Sequence, residues 1–201
     1  MGSVNWKTIA AAAAAFVGTL LLARKMSDSG GWGPFTPSEP DEPVDPYAPK
    51  DTATGCDPVA KPGVLKFRQW ALDKWGQREK PPSPQNIIRA CDDKADEHQE
   101  GRAWDLMTRD KAHGNEVWNA MLAPDATGEP HALARRAGVM YIIWNKQMWR
   151  AYPHAGKPSG SISPYTGAST HEDHLHFSFS HDGAAAKTSL YRMIDAGMPV
   201  A

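Results

Sequence analysis

The segment His174-Leu-His-Phe-Ser-Phe-Ser180 alternates polar and apolar residues along its whole length. Successive side chains of a β-strand point to opposite faces of the sheet, so this pattern predicts a strand with one apolar face and one polar face. A second segment, Val139-Met-Tyr-Ile-Ile-Trp144, is a continuous apolar run and predicts a strand inside the core. These two strands are expected to form the centre of the folded domain.

Weaker signals around these strands predict helices and further strands. Helices are expected over Val64–Arg78, His113–Leu122, His131–Ala137 and Ala184–Ala196, and short strands over Asn86–Ala90 and Arg102–Met107. The stretch Pro153–Thr170 is rich in Gly, Ser and Pro and is expected to be a loop. Strands mixed with helices, without a repeated βαβ unit, indicate an α+β fold: a small, mainly antiparallel sheet with flanking helices.

The N-terminal part of the chain differs in composition from the rest. Residues 1–25 contain an uncharged, Ala-rich run, Thr8–Ala23, between Lys7 and Arg24. As a helix this run would be roughly 24 Å long, against roughly 30 Å of bilayer hydrocarbon. We interpret it as an N-terminal hydrophobic helix that anchors the chain in a membrane, with a cleaved signal segment as the alternative.

Residues 26–63 are rich in proline and acidic side chains and predict a linker. Proline recurs at every third position from Pro34 to Pro49. Polyproline II has three residues per turn, so this spacing predicts an extended, semi-rigid spacer of roughly 45 Å. A disordered linker is the alternative. The folded domain is then expected to occupy residues 64–201.

The overall charge argues against one class of partner. The 201-residue chain has a formal net charge of −1. Nucleic-acid-binding domains usually carry a strongly basic surface. Nucleic acid is therefore not expected as a partner.

The chain has two cysteines, Cys56 and Cys91. Their spacing fits neither a zinc ribbon nor a redox pair. In an oxidising compartment they are expected to form a disulfide that ties the end of the linker to the domain. Two buried, unpaired thiols are the alternative.

Metal-capable side chains are concentrated in two stretches. The first runs from Glu97 to Asp105 and includes His98, and the second is His171-Glu-Asp-His-Leu-His176. A catalytic zinc site needs three nitrogen or oxygen ligands and an open position. Two histidines and one aspartate from these stretches can form such a set, and a further carboxylate lies close enough to act as a base in hydrolysis.

Together the two stretches resemble the LAS-type zinc peptidases, which include D-Ala-D-Ala carboxypeptidases and phage L-alanyl-D-glutamate peptidases. The motifs that carry the resemblance are His98-x-x-Gly101-x-Ala103-x-Asp105 and, downstream, Asp173-x-x-His176. The family's first motif usually begins with Ser two positions before its histidine, where this chain has Asp96.

Other segments extend the resemblance over roughly residues 64–183. Ile87-Ile-Arg89 is similar to the short strand, ending in Arg, that precedes the first motif in the family. Tyr141-Ile-Ile-Trp144 and Asp173-His-Leu-His-Phe-Ser178 look like an actinobacterial and actinophage branch.

The resemblance implies a role for each matching residue. Three residues would bind Zn²⁺: His98, Asp105 and His176. Asp173 would act as general base and then as acid toward the leaving amine. Arg89 would stabilise the developing oxyanion, and His174 would lie beside the metal as a further contact.

The resemblance thus implies a zinc metallopeptidase that hydrolyses peptidoglycan stem peptides or cross-links, in cell-wall remodelling or in phage-associated lysis. D-Ala-D-Ala, L-Ala-D-Glu and cross-bridge bonds all stay open as targets. Expected partners are peptidoglycan peptides, the membrane through the N-terminal segment and, for a lysin, phage virion components. The expected location is extracytoplasmic and membrane-anchored, with secretion after signal cleavage or a phage virion as alternatives. The competing hypothesis is a non-catalytic, zinc-stabilised wall-binding or virion module, which would not need the carboxylate of Asp173.

Several other residues are expected to have structural roles or none. The histidines outside the motifs are interpreted as bystanders: His113, His131, His154 and His181. Core or groove-wall positions are expected for the tryptophans Trp104, Trp144 and Trp149. Arg102 is expected to pair with a carboxylate near the metal loop. Glu97 and Glu100 are interpreted as solvated loop charges, and His171 is expected at the rim of the site.

Overall fold

In the computed structural model, strands and helices are interspersed along the chain and build one antiparallel sheet with helices against it. The structure describes residues 42–76 and 86–200. Within these ranges the strands are β1 Ala103–Met107, β2 Val139–Trp144, β3 Gln147–Arg150, β4 Ser161–Pro164 and β5 His174–Phe179. The helices are α1 Pro62–Trp75, α2 Lys111–Leu122, α3 Ala132–Arg136, α4 His181–Ala184 and α5 Ser189–Asp195. The predicted α+β fold is confirmed.

The two strands with the strongest sequence signals, β2 and β5, lie side by side at the centre of the sheet. The strand order is β1-β5-β2-β3-β4, and every neighbouring pair is antiparallel. The alternating strand β5 directs Leu175, Phe177 and Phe179 into the core. Its other face carries His174 and His176. The polar alternation in the sequence therefore marks the face of the sheet on which a site can form.

The core lies between the sheet and the helices, and α1 covers its centre. Phe67 of α1 makes edge-on contacts with Phe177 and Phe179, at ring-centroid distances of 5.4 Å and 5.2 Å. The tryptophans predicted for the core or a groove wall are all buried in the core: Trp104, Trp144 and Trp149. Burying each large apolar side chain contributes roughly 1.5–3 kcal/mol, so this cluster is a main source of stability.

The predicted strand over Asn86–Ala90 is wrong, because this segment has no strand partner. Its backbone groups bond to the turn that carries His98. Arg89 N donates to His98 O at 3.3 Å, and Ala90 O accepts from the Gln99 side chain at 3.2 Å. Backbone groups that bond to a turn in this way are not available for a sheet ladder.

One hairpin was not predicted, and one helix differs from its prediction. Asn145 and Lys146 both have positive φ, the geometry of a type I′ turn, and they join β2 to β3 without the glycine that usually marks such a turn. The expected loop Pro153–Thr170 contains β4. The single helix expected over Ala184–Ala196 is instead two short helices, α4 and α5, separated by a bend at Ala186, where φ is +60°.

The described part of the linker, residues 42–61, lies against the domain, unlike the spacer that was expected to stand apart. Tyr47 OH hydrogen-bonds to His131 Nδ1 at 2.8 Å, and Asp45 accepts from the Ser189 backbone at 2.9 Å. Ala48 is buried. A carbonyl group of the linker also accepts from a domain side chain, since Arg135 Nε donates to Asp45 O at 2.8 Å.

Part of the N-terminal predictions lies outside the described residues. This applies to the hydrophobic segment within residues 1–25 and to Pro34, Pro37 and Pro40. Among the helices that the structure describes, none has the length and apolar character needed to cross a membrane.

The predicted disulfide between Cys56 and Cys91 is present, with the two Cα atoms 5.8 Å apart. It joins the end of the packed linker to the irregular segment that follows residue 86. The alternative of two unpaired thiols is thereby excluded.

Gly114 provides a test of the packing between α2 and β2. A Cβ atom at Gly114 would lie 2.0 Å from the Trp144 ring, which is held by a hydrogen bond from its Nε1 to Asn115 Oδ1. Overpacking a core typically costs about 1–3 kcal/mol, and alanine regains about 1 kcal/mol of helix propensity. We expect Gly114→Ala to lower the free energy of unfolding by up to about 2 kcal/mol in urea titrations. Gly55→Ala is the control, because nothing lies within 4 Å of its Cβ position; a larger loss there than at Gly114 would contradict this account.

Candidate metal centre

The antiparallel pairing of β1 with β5 brings two of the predicted ligands together. Asp105 and His176 are direct partners in the register, so their side chains lie on the same face of the sheet. Asp105 Oδ1 is 2.9 Å from His176 Nδ1. This face is opposite to the apolar face that packs on α1, so the site is built on a rigid part of the fold.

The third predicted ligand, His98, comes from the turn before β1. Gly101 has a φ of +64°, which lets the chain reverse into the strand. A Cβ atom at this position would lie 2.0 Å from Val59 O, so the close approach of the linker also requires glycine here. The turn directs the His98 ring inward, where only 3% of the residue is exposed.

These side chains form a compact cluster of potential metal ligands. One atom from each of His98, Asp105 and His176 lies within 4.8 Å of the other two. His98 Nε2 is 3.2 Å from His176 Nδ1 and 3.4 Å from Asp105 Oδ1. The cluster predicted from the motifs could therefore hold a metal ion.

The remaining ring nitrogen of each histidine is hydrogen-bonded away from the cluster. His98 Nδ1 donates to the carbonyl oxygen of Ile87 at 3.0 Å, so Nε2 is the ring nitrogen that faces Asp105. His176 Nε2 lies 2.9 Å from Ser178 Oγ, to which it can donate. Metal-binding histidines usually have such a partner, which fixes the tautomer and the ring orientation.

The cluster favours an ionised carboxylate at its centre. Burial raises the pKa of Asp105, but hydrogen bonds from His176 and His98 outweigh burial and hold that pKa well below its usual range. Burial likewise lowers the pKa of His98, but the hydrogen bond and charge of Asp105 outweigh it and raise the pKa of that ring. Without a cation, two histidines and one carboxylate share a proton network that a divalent metal would replace.

Tyr141 and Glu97 connect the two histidine-bearing elements. The Tyr141 ring stacks on His176 with a centroid distance of 5.5 Å, and its hydroxyl donates to Glu97 Oε2 at 2.8 Å. Burial, followed by the charge of Glu97, raises the pKa of Tyr141, so its hydroxyl stays protonated. The interpretation of Glu97 as a solvated charge is wrong. The same interpretation of Glu100 is also wrong, because Glu100 accepts from Thr54 N at 2.8 Å. Glu100 pairs with Arg102, which was expected to pair with a carboxylate near the metal loop.

Asp173 lies at the bend before β5, as expected for a residue that approaches the site from a loop edge. Its carboxylate accepts a hydrogen bond from His174 Nδ1 at 2.7 Å, and its side chain is 60% exposed. The other ring nitrogen of His174 faces the cluster, 3.9 Å from Asp105 Oδ1. Asp173 is thus connected to the cluster through His174.

Arg89 lies on the cleft beside the cluster and is half exposed. Its guanidinium pairs with Asp96 Oδ2 at 2.6 Å. Asp96 also accepts from Gln99 N at 2.9 Å. Asp96 therefore caps the turn that carries His98, and it anchors Arg89.

His171 is a residue of the site to which the sequence analysis gave no role. It is buried rather than at the rim, has a φ of +50°, and packs 4.7 Å from the His174 ring. Its Nδ1 donates to Ser169 O at 2.9 Å. Burial lowers the pKa of His171 to about 4, so the ring is neutral at physiological pH. Its place at the start of the second metal-capable stretch, His171–His176, was the only available signal.

An open cleft of about 430 Å³ leads to the cluster. Its wall combines the cluster, Arg89 and the polar residues just described with the side chains of Ile143 and Tyr165. None of the four histidines interpreted as bystanders lines this cleft: His113, His131, His154 and His181. A polar cleft with a buried three-ligand cluster at its base can admit a small polar substrate and water.

The fold and the cluster define an α+β domain with a two-histidine, one-carboxylate candidate metal centre. Residues 56–176 match the family model described as the VldE C-terminal domain, and the chain belongs to that family. The match begins at one half of the disulfide, Cys56, and ends at His176, so it includes every predicted site residue. No curated protein and no solved structure gives a significant match.

The ligand assignment predicts how single substitutions change metal content. We expect one divalent metal ion per chain, and its loss in His98→Ala and in His176→Ala, because either change leaves only two ligands. Elemental analysis after dialysis checks this. His154→Ala, at an exposed position outside the cleft, is the control and should keep the metal; full occupancy in either ligand variant would refute the assignment.

Proposed function

We propose that the chain is a zinc-dependent peptidase that hydrolyses peptide bonds of peptidoglycan stem peptides or cross-links. The observation that carries the proposal is the cluster of His98, Asp105 and His176 at the base of an open cleft. The resemblance of its two motifs to LAS-type zinc peptidases supplies the substrate class. The domain would act outside the cytoplasm, an assignment supported by the disulfide, since disulfides persist in oxidising compartments.

Zinc suits this donor set better than the other common divalent metals. Two imidazoles and one carboxylate are typical of catalytic zinc, whereas magnesium and calcium prefer oxygen ligands throughout. Three protein ligands leave a position toward the cleft for water or substrate. A zinc ion held here would supply Lewis-acid catalysis for the attack of water on a peptide carbonyl.

Asp173 and His174 are suited to move the proton that hydrolysis requires. The proton must pass from the attacking water to the amine that leaves. His174 Nε2 faces the cluster, and the Asp173 carboxylate holds the other ring nitrogen in place and stabilises the protonated ring. Asp173 therefore acts as general base through His174, or acts directly once its exposed side chain rotates toward the cluster.

Arg89 is suited to stabilise negative charge that develops on the substrate. A guanidinium stays charged at any pH at which the enzyme works and offers several donors in one plane. Its ion pair with Asp96 fixes it on the cleft wall. The permanent charge next to the cluster favours a substrate that carries a carboxylate or develops an oxyanion.

A non-catalytic wall-binding or virion module of the same fold is the second candidate. It would need the three metal ligands but neither Asp173 nor His174. The hydrogen-bonded Asp173–His174 pair beside the cluster therefore favours the enzyme. Membrane anchoring through residues 1–25, or incorporation into a virion, are further proposals about location that either candidate accommodates.

Digestion of purified peptidoglycan by the zinc-loaded chain tests the proposal. Mass spectrometry of the released fragments should reveal new amino or carboxyl termini at one type of peptide bond. A chelator should abolish the release and added zinc should restore it. Binding to the wall without any cleavage would overturn the proposed activity and favour the non-catalytic module.

Asp173→Asn separates the chemistry from metal binding. The amide still accepts a hydrogen bond from His174 but cannot stabilise its protonated form. We expect a loss of roughly 10²–10⁴-fold in kcat on peptidoglycan fragments, the usual contribution of general acid–base catalysis. Zinc content should be unchanged, because Asp173 lies outside the ligand cluster.

Glu172→Gln is the matched control for this prediction. Glu172 is the neighbouring carboxylate, but it pairs with Lys146 at 3.2 Å on the surface. Its loss should change kcat little. An Asp173→Asn variant within a few-fold of wild type would contradict the mechanism, and a variant without zinc would make Asp173 a metal ligand.

A further inference from the structure

The turn that carries His98 is held between two irregular segments that a disulfide joins. We define the flanking segments as residues 51–61, from the linker, and residues 86–92, which follow α1. Neither segment contains a strand. Cys56 lies in the first and Cys91 in the second. The proposed function gives this bridge no role.

The first flanking segment binds the turn mainly through backbone hydrogen bonds. Asp57 N donates to Gln99 O at 2.8 Å, and Lys61 N donates to Gly101 O at 3.1 Å. Glu100 Oε1 accepts from the backbone of Thr54 and Gly55, at 2.8 Å and 3.1 Å. The turn is thus fixed on this side at three consecutive residues, directly after the metal ligand.

The second flanking segment binds the same turn from the other side and contacts the ligand itself. His98 Nδ1 donates to Ile87 O, and His98 O accepts from Arg89 N. The Gln99 side chain reaches Ala90 O and Asp92 Oδ1, at 3.2 Å and 2.7 Å. Few apolar groups support this segment: Ile87 is buried, whereas residues 89–95 are exposed. A segment with few buried apolar contacts opens readily unless something else restrains it.

We propose that the Cys56–Cys91 disulfide is a positioning element of the metal centre. It closes the two segments around the turn and keeps the Ile87 carbonyl bonded to His98, so that the ring presents Nε2 to Asp105. This role rests on the proposed metal site. The cysteines do not bind the metal; they act through the hydrogen-bond partner of one ligand.

Zinc affinity of the chain without the bridge tests this role. In the double variant Cys56→Ser, Cys91→Ser the bridge is absent and no thiol is added that could itself bind zinc. Losing a partner that orients a ligand typically weakens metal binding by about 10–100-fold, and we expect a loss in that range by competition with a chromophoric chelator. The visible spectrum of the cobalt-substituted protein should change as well, because the His98 ring is no longer fixed.

Hydrogen exchange and a destabilised control separate positioning from general stability. Amides of residues 86–101 should exchange faster in the serine variant, whereas those of β2 and β3 should not. Gly114→Ala lowers stability without contact to the turn, and its zinc affinity should equal that of the wild type. Wild-type protein that is reduced and alkylated gives a second bridge-free form if the serine variant folds poorly.

Each outcome decides the proposal. Weaker zinc binding in a folded, bridge-free form, with wild-type affinity in Gly114→Ala, supports it. Affinity within twofold of wild type overturns it, as does global unfolding of both bridge-free forms, which would make the bridge a general requirement of the fold. Absence of zinc binding in the oxidised wild type would instead refute the metal site on which both proposals rest.

Discussion

The register between β1 and β5 is the constraint on which both the core and the candidate metal centre depend. Trp104 stacks on Phe177 on one face, with ring planes 17° apart, and Asp105 meets His176 on the other. A slip of one residue would turn β5 over, exposing its phenylalanine side chains and burying its histidines. The apolar face makes that slip costly, at roughly 1.5–3 kcal/mol for each aromatic side chain. The hydrophobic core therefore sets the position of the candidate ligands Asp105 and His176.

Much of this arrangement follows from local patterns in the sequence. Three sequence patterns were reliable: the alternation in β5, the apolar run in β2 and the periodicity of α1. Each pattern depends on which side chains face the core, and the order of polar and apolar residues shows this directly. The failures involve partners distant in sequence. The segment Asn86–Ala90 is apolar enough for a strand, yet its backbone bonds to the His98 turn. The turn at Asn145 and Lys146 adopts positive φ without glycine, so its composition gave no strong signal for β3.

The candidate site, like the fold, could be predicted only in part from the sequence. The three residues of the candidate cluster were predicted from motifs that resemble those of LAS-type zinc peptidases, and the structure brings these residues together. Their environment could not: the Tyr141–Glu97 hydrogen bond joins residues 44 positions apart, and no spacing rule predicts it. The burial of His171 and the bond between Asp173 and His174 likewise depend on how the loop before β5 folds over the sheet. Motifs specify which atoms can react, whereas tertiary contacts specify how they are oriented.

Arg102 explains why the linker belongs to the architecture of the site. The side chain is 2% exposed and its charge is paired with Glu100 in the His98 turn. It also donates to Phe179 O at the end of β5 and to Asp51 O in the linker. A buried charge is tolerated only when its hydrogen bonds are satisfied, and removing one partner leaves a cost of several kcal/mol. The guanidinium therefore needs the carbonyl oxygen of Asp51. Through this bond and the other two, it holds the linker, the His98 turn and β5 together. A segment that the sequence marks as a spacer thus forms one wall around the turn that carries His98.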